Sequence, residues 1–460
     1  VHVSALRWFV RTVERALDGE TVYRELLAGE PVAFWLDGSL TDRAARRVSV
    51  LGTTLGAEAE VVVRDVADGD VFAELQGLLT AKAARLDGAP DELAGLFNGG
   101  YVGYFGYELK ALTGGVAAHE SPVPDALWIW ANRFVVIDHD RDVSFLVSVD
   151  SADDGWLDRA ARSASHWSMS EVEAPAIARL DLEAHLEQDR ATYLTGIGKC
   201  MGALEAGETY EVCLTNRVRL PAVPDSSEFF LWQRAQNPAP YAAFLRYGDL
   251  AVASSSPERF LTVDADGWAE CRPIKGTAPR EADPAADQLA AKALAEDEKT
   301  RAENLMIVDL IRNDLGRVSE PGTVHVPQLM QVESYRTVHQ LVTTVRGRLR
   351  TGVSAIDAVR ACFPPGSMTG APKIRTMEIL DELEASARGV YSGALGYLTV
   401  DGRADLSVVI RTAVLTPSET VIGAGGAIVL DSDPVAEYDE MMLKAMAAVG
   451  GNAAAEGRGR

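Results

Sequence analysis

Residues 387–429, ARGVYSGALGYLTVDGRADLSVVIRTAVLTPSETVIGAGGAIV, decide the fold class. They read as three strands in a row, ARGVYSGALGYLTVDG, DLSVVIRTAVL and TVIGAGGAIV, with polar turn residues between them. DPVAEYDEMMLKAMAAVG follows as the last helix. Upstream, DLEAHLEQDRATYLTGIGKCMGALEAGE reads as a long amphipathic helix ending near Gly207, and TYEVCLTNRVRL alternates like a strand. DLAVASSSPERFLTVDADGWAECRP reads as two strands around a turn. EDEKTRAENLMIVDLIRNDLGRV is a helix stopped near Gly316, SAIDAVRACFP a helix stopped by proline, and APKIRTMEILDELE a helix with Pro372 in its first turn. Strands and helices alternate in blocks, which predicts an α+β fold with antiparallel sheets and helices packed outside.

Residues 1–150 form a first block: short strands at PVAFWLD and EVVVRDV, a helix at ELQGLLTAKAARL, and a hairpin in WIWANRFVVIDHDRDVSFLVSVD. Hydrophobicity falls over 151–181, where the linker is expected. Residues 182–448 form the second block, and 449–460, ending GNAAAEGRGR, the expected disordered tail.

The 460 residues carry 44 basic and 67 acidic side chains, a net charge of −23. That excess argues against nucleic acid and anionic membrane surfaces as partners, while a local basic cluster can still hold a small anion. No run of eighteen uncharged apolar residues occurs, and the first twenty residues do not read as a signal peptide. Four scattered cysteines without a C-x-x-C pair fit a reducing, cytoplasmic setting better than a zinc or disulfide framework.

In the last helix Glu437, Glu440 and Lys444 stand at i, i+3 and i+7, on one face. Such a stripe holds a divalent cation and an anion together, or is a solvated salt-bridged face. Glu303, in the apolar helix AENLMIVDLI, is a second acid that could wall a cation site. Gly425 and Gly426, in a β-rich run, suggest a kinked backbone nest for carboxylate or phosphate. Arg411 is a charge on an apolar strand: it takes an anion or a buried partner. RPIKGTAPR holds Lys275 between Pro273 and Gly276–Thr277. A constrained, desolvated lysine there is expected to have a lowered pKa and to act as nucleophile or base, with Glu258 of SPERF as a nearby acid. His339 is a core histidine or a proton carrier.

Together SPERF, RPIKGTAPR, RAENLMIVDLIRNDLGRV, VHQLVTTV, FPPGSMTGAPKIRTMEILDELE, YSGALGY, IRTAV and GAGGAIV resemble, in family order over about residues 185–448, the chorismate-utilising enzymes. Specifically, they resemble the large subunit of aminodeoxychorismate synthase. The resemblance implies a two-sheet sandwich with the chorismate site between the sheets, and Mg²⁺ on the ring carboxylate. Carried over, Glu303 and Glu440 match metal ligands and Glu437 a nearby acid. Arg411, Lys444, Thr277 and the Gly425 and Gly426 backbone match the substrate-binding groups, and Tyr391 lies against the enolpyruvyl arm. Glu258 matches the acid that helps the C4 hydroxyl leave, and His339 the histidine near the ring.

Lys275 stands where anthranilate synthases usually carry alanine, which implies a nucleophile that adds at C2 so that ammonia replaces the hydroxyl at C4. Glu211 stands where many bacterial relatives have glutamine. No glutaminase motif is present, so the resemblance implies ammonia from a glutamine amidotransferase subunit. The alternatives are an anthranilate synthase large subunit, aminating C2, and a non-catalytic regulatory homologue.

Overall fold

The computed structural model describes residues 5–40, 46–152, 155–163, 173–335 and 338–450. The strands assemble into two large antiparallel sheets, one of eleven and one of ten strands. Their facing sides enclose one apolar cluster containing Phe34, Trp128, Phe134, Phe260 and Leu406. A second cluster, with Trp35, Phe230, Phe244 and Met441, lies on the outer side of the eleven-stranded sheet. Consecutive Phe34 and Trp35 fall in different clusters because strand side chains alternate between faces. Each is fully buried, and burying a side chain of that kind contributes about 1.5–3 kcal/mol.

Helices Arg190–Glu205, Ser226–Gln236 and Pro434–Ala448 contribute to the outer cluster. The last of these starts where it does because Asp433 accepts from the Ala436 N–H and Pro434 occupies the first turn. Helix Glu298–Gly316 is capped in the same way by Asp297, which accepts from Thr300 N–H.

The two blocks read from the sequence are not divided in the structure. Strand Val32–Asp37 pairs with Tyr241–Tyr247, and Gly100–Phe105 pairs with Ala394–Thr399. Residues 1–150 therefore supply strands to both sheets instead of building a unit of their own. The expected linker contains an ordered helix, Trp156–Ser163, with Trp156 and Ala160 buried; 153–154 and 164–172 lie outside the described residues. The first residues of the expected tail are ordered. Val449 is buried and its carbonyl accepts from Trp232 Nε1 at 3.2 Å, while 451–460 lie outside the described residues.

Two other expectations need correction. DLSVVIRTAVL is two strands, Ala404–Val408 in the ten-stranded sheet and Thr412–Leu415 in the other. The chain changes sheets between them, with Arg411 at φ +51°, a left-handed backbone that a non-glycine residue rarely adopts. DLAVASSSPERFLTV changes sheets as well, from Leu250–Ser256 to Arg259–Val263, with Glu258 in the crossing. The two crossings touch: Val408 N–H donates to Glu258 O and Ser255 N–H to Arg411 O. Among the described residues no helix is long and apolar enough to cross a membrane. All four cysteines are buried free thiols.

Candidate active site

The crossings place Glu258 and Arg411 beside each other, close enough that each charge acts on the other. Burial pushes the Glu258 carboxyl up to about 7, against the opposing pull of the Ser367 hydroxyl and the Lys275 ammonium. Burial draws the Arg411 guanidinium below its usual range. Its side chain makes no hydrogen bond or ion pair with the described residues, so it is available to an anion.

Lys275 belongs to strand Ile274–Pro279, which continues Trp268–Arg272 past Pro273 along the same partner, Val338–Arg348. The register slips between Lys275 and Thr277, a bulge at Gly276 with φ +77°. A Cβ on Gly276 would meet Thr300 Cγ2 at 2.4 Å, so only glycine lets the bulge sit against the Glu298–Gly316 helix. The bulge aims Lys275 at the other sheet, where its Nζ donates to Glu211 Oε1 at 2.5 Å. Glu211 is fully buried, and its Oε2 has no hydrogen-bond partner.

The expected lowering of the Lys275 pKa is overturned. Burial does favour the neutral amine, but the charges of Glu211 and Glu303 and the hydrogen bond to Glu211 outweigh it and hold the ammonium above the usual lysine range.

Strand Glu419–Ile428 closes another wall. From Gly423 onward it pairs only with Glu211–Pro221, since Thr412–Leu415 has already ended. Its glycines do not form the kinked nest expected: Gly425 and Gly426 keep negative-φ strand backbone in regular register. They are small because other groups come close. A Cβ on Gly423 would fall 2.2 Å from the buried Tyr391 ring, and one on Gly426 would stand 3.2 Å from Glu437 Oε2. Lys444 Nζ donates to Gly425 O at 3.0 Å and pairs with Glu440 Oε1 at 2.7 Å.

The three acids meet cations rather than one another. Glu437 Oε1 accepts from Ser432 Oγ at 2.7 Å and from Lys299 Nζ at 2.8 Å, and Glu303 Oε1 lies 3.9 Å from the same Nζ. Burial pushes Glu303 up to about 7, and its carboxylate accepts no hydrogen bond among the described residues. Burial would raise Glu440 too, but Lys444 holds it below the usual range.

His339 and Thr277 are not gathered in. His339 is buried with both ring nitrogens engaged, Nε2 by Asp287 Oδ1 at 2.9 Å and Nδ1 by Ser334 Oγ at 2.8 Å. That is the satisfied core histidine. Thr277 is exposed on its strand, and its side chain makes no hydrogen bond among the described residues.

A profile described as chorismate binding enzyme matches residues 34–450. The chain belongs to the chorismate binding enzyme family. Among its relatives, the aminodeoxychorismate synthase of Streptomyces pristinaespiralis is 45% identical over 96% of this chain and 65% of its own length. Aminodeoxychorismate synthase component 1 of Salmonella typhimurium is 41% identical over 76% of this chain and 75% of its own. The chain thus spans just under two thirds of the Streptomyces relative. Anthranilate synthase component I from Streptococcus pneumoniae TIGR4 superposes with a TM-score of 0.75 at 26% identity, covering 95% of this chain and 99% of that one. The menaquinone-specific isochorismate synthase of Escherichia coli shares the fold, with a TM-score of 0.72 at 18% identity over 97% and 95% of the two chains.

For a chorismate binding enzyme, Mg²⁺ is the group to test against these acids. The donor set fits. Glu303, Glu437 and Glu440 are hard carboxylate oxygens of the kind Mg²⁺ takes, and Glu303 is a largely buried acid with no hydrogen-bond donor. As the side chains stand, no three such residues among those described converge on one point. Sequence reasoning gave no role to Lys299 or Ser367, and treated Glu211 only as a departure from the family pattern. Lys299 lies one turn before Glu303, a spacing that signals a pair, but its second partner is 138 positions away.

Proposed function

We propose that this chain aminates chorismate at C4 with ammonia, giving 4-amino-4-deoxychorismate. The observation that carries the reading is the buried Lys275 facing Glu211, in a site it shares with Glu258. The names of the Streptomyces and Salmonella relatives support it.

Arg411 and Lys444 bind the substrate's carboxylates, and Tyr391 packs against the enolpyruvyl arm. Glu303 and Glu440, with Glu437 beside them, would hold Mg²⁺, which supplies charge neutralisation for the ring carboxylate. Lys275 must lose a proton before it can attack, and the Glu211 carboxylate 2.5 Å away is placed to take it. The free amine adds at C2, the two ring double bonds shift toward C4, and the hydroxyl leaves as water with the proton of Glu258. Ammonia then bonds to C4, the double bonds shift back, and the C2–N bond to Lys275 breaks. A double displacement of this kind puts nitrogen at C4 with retention. Ammonia comes from a glutamine amidotransferase partner, in keeping with the name component 1 of the Salmonella relative. Four buried free thiols support a cytoplasmic location.

The test is product analysis. With chorismate, Mg²⁺ and ammonium at raised pH, mass spectrometry and NMR should find the amine at C4, and EDTA should stop the reaction. Glutamine should serve only after a glutaminase is added. An amine at C2 would make the chain an anthranilate synthase subunit, and no turnover at all would favour a non-catalytic homologue.

A further inference from the structure

Among the described residues, Lys299 is the one cation that touches two of the three acids. It rises from the first turn of helix Glu298–Gly316 and reaches across to the last helix. There its Nζ lies 2.8 Å from Glu437 Oε1, while Glu303, on its own helix, lies 3.9 Å away. Glu437 is held from another side too: Ser432 Oγ donates to the same oxygen, while the missing side chain of Gly426 leaves room for the other. Glu437 and Glu303 are thus largely buried carboxylates whose charge must be met, and Lys299 is placed to meet it. Its own side chain is different, 41% exposed against 9% for Lys275. A long aliphatic stem with an open flank can swing its ammonium into water without dismantling anything else.

Resting on the divalent-cation reading of these acids, we propose that the Lys299 ammonium is a built-in placeholder for that cation. It offsets part of the charge of Glu303 and Glu437 when the metal is absent, and the metal enters by displacing it. A doubly charged ion gains more from the acids than a single ammonium, so exchange favours the metal once its concentration suffices. The placeholder keeps the acids from repelling one another and the two helices from parting in the empty state. It also weakens apparent metal affinity, because every binding event must first break the ion pairs.

The test uses the full chain with Lys299→Met and Lys299→Gln, the second retaining polarity without charge. Mg²⁺ alone is titrated by calorimetry, and melting is followed with and without it. Both variants should melt lower than wild type without metal. They should bind Mg²⁺ at least about tenfold more tightly, with a larger metal-induced rise in melting temperature. Wild type that binds Mg²⁺ while both variants bind it equally or more weakly would overturn the placeholder and leave the cation site standing. Wild type that binds no Mg²⁺ would overturn both readings.

Discussion

Lys275 Nζ and Glu211 Oε1 stand 2.5 Å apart across the gap between the two sheets. Each side chain is buried, so neither charge is relieved by water. The pair keeps the Lys275 amine in its protonated form, against a buried carboxylate.

Lys275→Ala should lower kcat for C4 amination by about a hundredfold or more, as removing a nucleophile does. Lys275→Arg should not recover it, because a guanidinium keeps its charge and cannot attack. Steady-state kinetics with ammonium as nitrogen donor reads both. A near-normal rate in Lys275→Arg would show that charge alone matters.

Glu211→Gln removes a negative partner that holds Lys275 protonated. The lysine pKa should therefore fall, and the acid limb of the kcat/KM–pH profile should move to lower pH. A limb that stays in place in this variant would separate the rate from the Lys275 proton.

Burial pushes Glu258 up to about 7, so at neutral pH much of it is protonated, as the proposed release of the hydroxyl requires. Glu258→Gln should abolish release of the hydroxyl, which steady-state kinetics with ammonium as nitrogen donor checks. A carboxyl whose folded pKa is raised stabilises fully below its ordinary value, and that contribution is lost as pH climbs to about 7. At pH 8 Glu258→Gln should then melt higher than wild type, which calorimetry can check.

Gly423→Ala places a methyl group 2.2 Å from the Tyr391 ring. The ring must move, at a cost of about 1–3 kcal/mol of overpacking. Melting temperature should drop and KM for chorismate should rise, since that ring lines the proposed site.

Much of this was legible in the sequence where the signal is local. The long helices, the shared face of Glu437, Glu440 and Lys444, and the confinement of Lys275 all follow from spacing and turn residues. What was not legible is what depends on distant partners. Nothing in DLSVVIRTAVL announces that its apolar run breaks at Arg411, because the left-handed backbone there is imposed by the change of sheet and not by a glycine. The lowered Lys275 pKa followed from burial alone, and missed two carboxylates reaching it from other elements. His339 was read beside the ring by resemblance, while Asp287 and Ser334 satisfy it on the spot.

The lacing of early strands into late ones bears on how the chain reaches its native state. Val32–Asp37 waits for a partner more than two hundred positions later, and Gly100–Phe105 for one almost three hundred later. Closing such long loops precedes any reward from pairing, so folding should be slow and dominated by late, cooperative steps. On the ribosome the first 150 residues would emerge with apolar strand edges that nothing yet covers, and such edges invite association with other chains. A fragment cut at 150 should aggregate or remain unstructured instead of yielding half of the molecule.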